Sequence, residues 1–180
     1  MSILSGGGAL PYESASPEGL AARWVRWVAG VGPFRNPVRD RSGRFAGLHQ
    51  PDDVWFLAGT FGGEVRRRCV VPGGRPLFLP AFNIWSVGAE GPPEPVPDAF
   101  GHLVVDDVPT EVDVIATPVP FAVAGALLNP VTGTRQAVPV NVWGLWRRLD
   151  PLPAGSHSLH VSGGDGYGFT VEVTYRLDVV

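Results

Sequence analysis

From Phe169 to Val179 the chain alternates strictly: Phe169, Val171, Val173, Tyr175, Leu177 and Val179 are apolar, and Thr170, Glu172, Thr174, Arg176 and Asp178 lie between them. Successive side chains of a strand point to opposite faces, so this run specifies an antiparallel strand with one face on a core and one in water. Wound as a helix, the same residues would scatter around the whole circumference and bury nothing cleanly.

The rest of the chain repeats the theme in shorter pieces. Gly (24 residues) and Pro (19) are spread along the whole sequence rather than gathered in a linker, which suits many short strands joined by tight turns. Val54–Ala58 is a continuous apolar run and predicts a strand buried on both faces. Further strands are expected over Val65–Val71, Pro76–Pro80, Leu103–Val108, Val112–Ala116, Phe121–Leu128, Val138–Leu149 and Ser156–Ser162, with a hairpin loop at Ser162–Gly166. Turn signals recurring about every 8 to 12 residues predict a sandwich or barrel.

One helix interrupts this pattern. Ser16, Pro17 and Glu18 supply a hydroxyl N-cap, a proline at the first helical position and an acid in the first turn. Leu20, Trp24, Trp27, Val28 and Val31 then form one stripe at helical spacing. The expected fold is therefore all-β, an antiparallel, jelly-roll-like β-sandwich or barrel with one N-terminal helix. It is read as a single domain over 1–180: an extended arm at 1–15, the helix at 16–31 and the β domain at 36–180.

Composition excludes several function classes. The chain has 180 residues, is 44% hydrophobic and 17% charged, and is thus apolar enough to fold as one globular body. A formal net charge of −3 argues against a nucleic-acid partner bound through phosphate neutralisation. Cys69 is the one cysteine, so neither an internal disulfide nor a cysteine-based zinc site is expected. The N-terminus lacks a basic start and an apolar run, and no stretch approaches a membrane span. The expected location is the cytoplasm, with no membrane partner and no cofactor.

Four stretches together resemble a known protein family. They are Trp24–Gly43, with Asn36-Pro37 and Asp40; Gln50–Gly63, with Val54-Trp55-Phe56-Leu57-Ala58-Gly59; Cys69–Asn83, with Val71-Pro72-Gly73-Gly74 and Pro80-Ala81-Phe82-Asn83; and Pro151–His157. In these the chain is similar to a family of mostly exported bacterial proteins of uncharacterised function, and the resemblance extends over most of the chain. It implies no activity and no catalytic residue. Members tend to carry extra cysteines after the Asn-Pro motif and after Pro-x-x-Asn. Here Phe45 and Trp85 occupy those neighbourhoods, which suggests an intracellular member of an exported family.

The titratable candidates are few. His157 and His160 lie three apart in a strand, so they face opposite ways and cannot chelate one ion without a bulge. No metal site is expected. His49 beside Asp52 and Asp53 offers a metal or acid/base site, or a polar loop rim before a buried strand. Cys69 follows Arg66, Arg67 and Arg68, and of these only Arg67 shares its face. That cysteine is either a thiol activated by positive charge or a small core residue, and the arginines either grip an anion or form a solvated face.

The aromatics are the most suggestive group. Trp24, Trp27, Trp55, Trp85, Trp143 and Trp146 make either a tryptophan-rich core or an aromatic-lined pocket with Asn83, Asp53 or an arginine as its polar handle. In the pocket reading the chain is a cofactor-independent enzyme, a cyclase or isomerase of secondary metabolism, acting on a hydrophobic small molecule. Its catalytic residues would be Asp53, Asn83 and His49, its ligand-binding residues Trp24, Trp27, Trp55, Trp85, Trp143 and Arg67, and the Trp24/Trp27 helix would serve as a lid. Two other readings stand beside it: a carbohydrate- or protein-binding module, and a structural protein that assembles as a homo-oligomer through its aromatics.

Overall fold

The structure, a computed structural model, describes residues 7–180; the first part of the expected N-terminal arm lies outside the described residues. The described chain is mostly β, with 40% in strands and, among the described residues, one short helix. In order the elements are α1 (Pro17–Ala29), β1 (Trp55–Phe56), β2 (Gly63–Val71), β3 (Leu77–Val87), β4 (Phe100–Val105), β5 (Val108–Thr110), β6 (Asp113–Ala116), β7 (Phe121–Val123), β8 (Val138–Leu149), β9 (Gly155–Gly164) and β10 (Thr170–Val179).

The strands form two sheets. One has the order β1-β3-β8-β6, with β7 paired to β8, and the other has the order β2-β10-β9-β4-β5. Neither order returns on itself, so the barrel alternative is not what forms. The all-antiparallel expectation also gives way, because β1 pairs β3 in parallel and β2 pairs β10 in parallel. The reason is that alternation encodes which face a residue occupies and carries nothing about the direction of a neighbour. A parallel pair needs a long crossover, and the stretch from Pro72 to Phe169 supplies one for β2 and β10.

The described chain divides into two compact units. The first holds the described residues through Asn36, Ile84–Pro95 and Ile115–Trp143; the second holds Pro37–Asn83, Val96–Val114 and Gly144–Val180.

In the first unit, α1 starts as its sequence dictates. The Ser16 hydroxyl accepts from the Gly19 N–H at 3.0 Å, Pro17 opens the helix, and Gly30 caps it at the far end. Leu20, Ala21, Ala22, Trp24, Val25, Trp27, Val28 and Ala29 are all buried, a wider set than the expected stripe. A helix buried nearly all round is a core element rather than a cover. Arg26 ties it down, donating to the carbonyl of Ala122 in β7 at 2.9 Å and to those of Gly7 and Gly8 at 2.7 and 2.9 Å. The Asn36 amide donates to the carbonyls of Val28 and Val31, both at 2.8 Å, and closes the end of the helix.

The second unit contains the whole β2-β10-β9-β4-β5 sheet. Its inner rows are the ones expected from the sequence: Val65, Arg67, Cys69 and Val71 in β2 lie in register with Val173, Tyr175, Leu177 and Val179 in β10, and Leu159 and Val161 in β9 continue the face, Arg67 being the one charged member. This face is packed tightly against β3. A Cβ on Gly163 would sit 2.4 Å from the Ala81 carbonyl oxygen, so only glycine admits that approach. The sheet's two edges are blunted: Pro109 sits in β5, and at the other edge the Arg68 N–H donates to the Ser42 carbonyl at 2.9 Å.

Candidate functional site

Burial separates the arginine triplet as strand geometry requires. Arg66 and Arg68 are exposed, pairing with Glu64 at 3.1 Å and with Asp178 at 2.8 Å, whereas Arg67 is only 4% exposed. A buried guanidinium must have its donors satisfied. Its Nε donates to the Asp40 carbonyl at 2.6 Å, its Nη1 to the carbonyls of Ala58 and Gly59 and to the Tyr175 hydroxyl, and its Nη2 to the Val38 carbonyl at 3.1 Å. The cation also stands 5.6 Å over the Tyr175 ring. Arg67 thus gathers the 38–40 and 58–59 segments onto the sheet, and its donors are already engaged by the chain itself.

The Asp40 carboxylate shapes the turn that supplies one of those carbonyls. It accepts from the N–H groups of Ser42 and Phe45, both at 2.8 Å, and from the Ser42 hydroxyl at 2.9 Å. Burial works against its charge, but these donors outweigh burial and hold it below the usual carboxylate range.

The other expected site residues fall in separate places. In the first unit Trp24, Trp27 and Trp143 are buried, and Trp85 is half-buried. The Trp24 ring lies 6.2 Å from Trp27, edge to face, and 6.4 Å from Trp85. In the second unit His49 is exposed with a φ of 53°, Asp53 is exposed, Trp55 is buried and Asn83 is half-buried. Trp55 is in register with Leu77, so Asn83 stands about 20 Å further along β3 at the usual rise per residue. Trp55 Nε1 and Asn83 Nδ2 are nevertheless alike in one respect: each is a buried donor without an acceptor.

Cys69 is buried beside a shallow, open groove of about 420 Å³ lined by Gly43, Arg44, Gly47, Arg68, Cys69 and Val70. Burial pushes its thiol up to about 12, against the pull of Arg67 and with help from Asp178 and Asp40. A thiol so far above neutral pH is a poor nucleophile, which makes the cysteine a core residue. Among the described residues no three His, Cys, Asp or Glu side chains gather as metal ligands. His157 lies on the inward row of β9, in register with Leu177, while His160 faces outward onto Thr174 and Glu172.

One cluster escapes the sequence reading. Exposed rings gather at the end of the five-stranded sheet where β9 turns into β10: Tyr167 is 74% exposed, and Phe61, Phe100 and Phe169 are each exposed by about two-fifths. Their supports are specific. The Tyr167 hydroxyl donates to the Asp98 carboxylate, and the N–H groups of Tyr167 and Phe169 donate to the Asp165 carboxylate at 2.7 and 3.1 Å. Gly166, at φ 84°, packs so close that a Cβ would fall 2.5 Å from the Asp98 carbonyl oxygen. Phe169 rests against buried Phe82 at 6.2 Å, and Phe100 packs over Gly164 and stands 6.0 Å from the His102 ring. Arg39 sits 5.7 Å over Phe61. The available signal was Tyr167 and Phe169 set between Gly166, Gly168 and Asp165, large rings placed where turn chemistry alone asks for none.

No known protein family matches this chain, and no curated protein or solved structure is significantly similar to it. No helix among the described residues is long and apolar enough to cross a membrane.

Proposed function

We propose that the chain is a carbohydrate-binding module that meets its ligand through the aromatic end of the β2-β10-β9-β4-β5 sheet, on a scaffold whose two sheets pack as a sandwich. The observation that carries this reading is Tyr167. Its ring is 74% exposed, yet it is fixed at its hydroxyl by Asp98 and at its backbone by Asp165. An exposed ring that is immobilised in advance gains little for folding, but it lowers the ordering cost of binding. Aromatic faces stack on the apolar faces of sugar rings, and the carboxylates of Asp98 and Asp165 beside them can accept from sugar hydroxyls.

The tryptophans give this reading indirect support, since Trp24, Trp27, Trp55, Trp143 and Trp146 are spent on the core. The test is a ligand-observed NMR screen against neutral and acidic oligosaccharides, run with the wild type and with Tyr167→Ala. Saturation transfer to a sugar that weakens in the variant supports the module. No transfer to any sugar, or transfer unchanged by the variant, rejects it.

A second reading, a cofactor-independent enzyme acting on a hydrophobic small molecule in the cytoplasm, is favoured by the unpaired buried donors of Trp55 and Asn83. Buried polar groups without partners are few in native proteins, and an oxygen-bearing substrate could satisfy one of these two donors, which stand too far apart to share it. That reading places the chemistry either on Asn83 or, at the other end of β3, on Asp53 and His49 as the acid/base candidates. It predicts that a substrate binds the variant Tyr167→Ala and the wild type equally.

A further inference from the structure

The turn between β4 and β5 is a two-residue hairpin in which Asp106 and Asp107 both take left-handed backbone angles, φ 47° and 65°. Beyond its ladder, that hairpin is fastened to β9 by side chains. The Asp106 N–H donates to the Ser158 carbonyl at 2.9 Å, and the Ser158 N–H donates back to one Asp106 carboxylate oxygen at 2.8 Å. The other carboxylate oxygen lies 2.6 Å from Nδ1 of His157, and Nε2 of the same ring lies 2.8 Å from the Pro153 carbonyl.

The imidazole therefore faces two groups that can only accept. A carbonyl has no proton to give, and an ionised carboxylate has none either. Both ring nitrogens must carry hydrogen for both contacts to be bonds, which makes His157 an imidazolium in this arrangement. A neutral ring would set one nitrogen lone pair against an acceptor, either the Asp106 carboxylate or the Pro153 carbonyl, and so would lose one of the two bonds. The His157 side chain is only 13% exposed, while that of Asp106 is 45% exposed.

We propose that Asp106 and His157 form a proton-gated staple that holds the β4–β5 hairpin on the sheet, complete, with both ring bonds made, only while the imidazole carries both protons and the carboxylate none. The charges around the pair leave this control to the two groups themselves. On β10 the register partner of His157 is apolar Leu177, while the flanking Arg176 and Asp178 alternate to the opposite face, where Asp178 is taken by Arg68. On β9 the neighbours are Ser156 and Ser158, and exposed Asp107 completes the turn. The segment before β9 offers the Pro153 carbonyl, and Asp150 beyond it is paired with Arg148.

The direction of each titration agrees. The bond to Asp106, and then the one to Pro153, raise His157 above the ordinary histidine value, and the bonds from His157 and Ser158 hold Asp106 below the usual carboxylate range. A raised histidine value means the contribution is complete below about pH 6.5 and is lost as pH climbs through the folded value. A depressed carboxylate value means the opposite limit: the staple is lost as pH falls through the folded value of Asp106. β5 is the edge strand of its sheet, so an open staple loosens the hairpin that forms that edge.

The test is a titration of the His157 ring by nitrogen-detected NMR, together with exchange of the Asp106 and Ser158 amides corrected for intrinsic rate. The expected result is two protonated nitrogens at pH 6, a midpoint above about 6.5, and amide opening that rises about tenfold per pH unit beyond it. Asp106→Asn should reverse the sign. Its side-chain N–H can donate to a neutral ring, so the His157 midpoint should fall below about 6.5. A wild-type ring that is singly protonated at pH 6, or a midpoint unmoved by Asp106→Asn, overturns the proposal. If that variant does not fold, the wild-type titration decides alone.

Discussion

Arg67 and Tyr175, from strands paired in parallel, share one hydrogen bond of 2.8 Å, and the Tyr175 hydroxyl in turn donates to the Ala58 carbonyl at 2.6 Å. Tyr175 is fully buried, and burial keeps its phenol protonated, up to about 12. Removing the hydroxyl with Tyr175→Phe leaves Arg67 Nη1 two carbonyl acceptors, so about 1 kcal/mol of stability should be lost. Arg67→Met strands the carbonyls of Val38 and Asp40 together with the tyrosine, and about 3 kcal/mol or more should go. Chemical denaturation of both variants measures the two losses; equal losses would show that the guanidinium contributes nothing beyond the tyrosine.

Asp40 should make the fold acid-sensitive. Its carboxylate is held below the usual range, so its contribution is present above about pH 4 and is lost as pH falls through the lower folded value. Asp40→Asn turns a donor toward the N–H groups of Ser42 or Phe45 and should cost about 1–3 kcal/mol at pH 7. Denaturation curves taken from pH 7 down to pH 3 should show the gap between variant and wild type closing. A gap independent of pH would locate the loss elsewhere than in the charge.

Cys69 should be chemically silent in the folded protein. With its thiol near 12, about one molecule in ten thousand carries the thiolate at pH 8. Iodoacetamide at pH 8 should leave the native chain unlabelled over hours and label it within minutes in denaturant. Rapid native labelling would restore the activated-thiol reading of the arginine-flanked cysteine.

The sequence was legible wherever period and turn chemistry act locally. Alternation at Phe169–Val179 placed Val173, Tyr175 and Leu177 inward, and Ser16-Pro17 placed the helix start. It also separated Arg67 from Arg66 and Arg68. Strand direction was not legible, because β2 and β10 meet across a separation that no local signal spans.

The placement of the tryptophans was not legible for a related reason. A sequence shows that Trp24 and Trp27 share a helix face but not that the opposite face, through Ala21, Ala22 and Val25, is buried too. The exposed rings at Phe61, Phe100, Tyr167 and Phe169 come from three turns and strand ends, Tyr167 and Phe169 sharing one, that only tertiary pairing unites, so no window of sequence displays all four together.

The central claim is that ligand meets this protein on the aromatic end of the sheet, and the most direct measurement is the dissociation constant of the best-binding oligosaccharide across single alanine variants. Tyr167→Ala, Phe169→Ala and Phe61→Ala should each weaken binding by a partial step, about 3- to 30-fold or 0.7–2 kcal/mol, while Asp53→Ala and His49→Ala leave it unchanged. Binding that survives all three ring deletions but vanishes with Asn83→Ala or Asp53→Ala would contradict the account and move the site to the enzyme candidates.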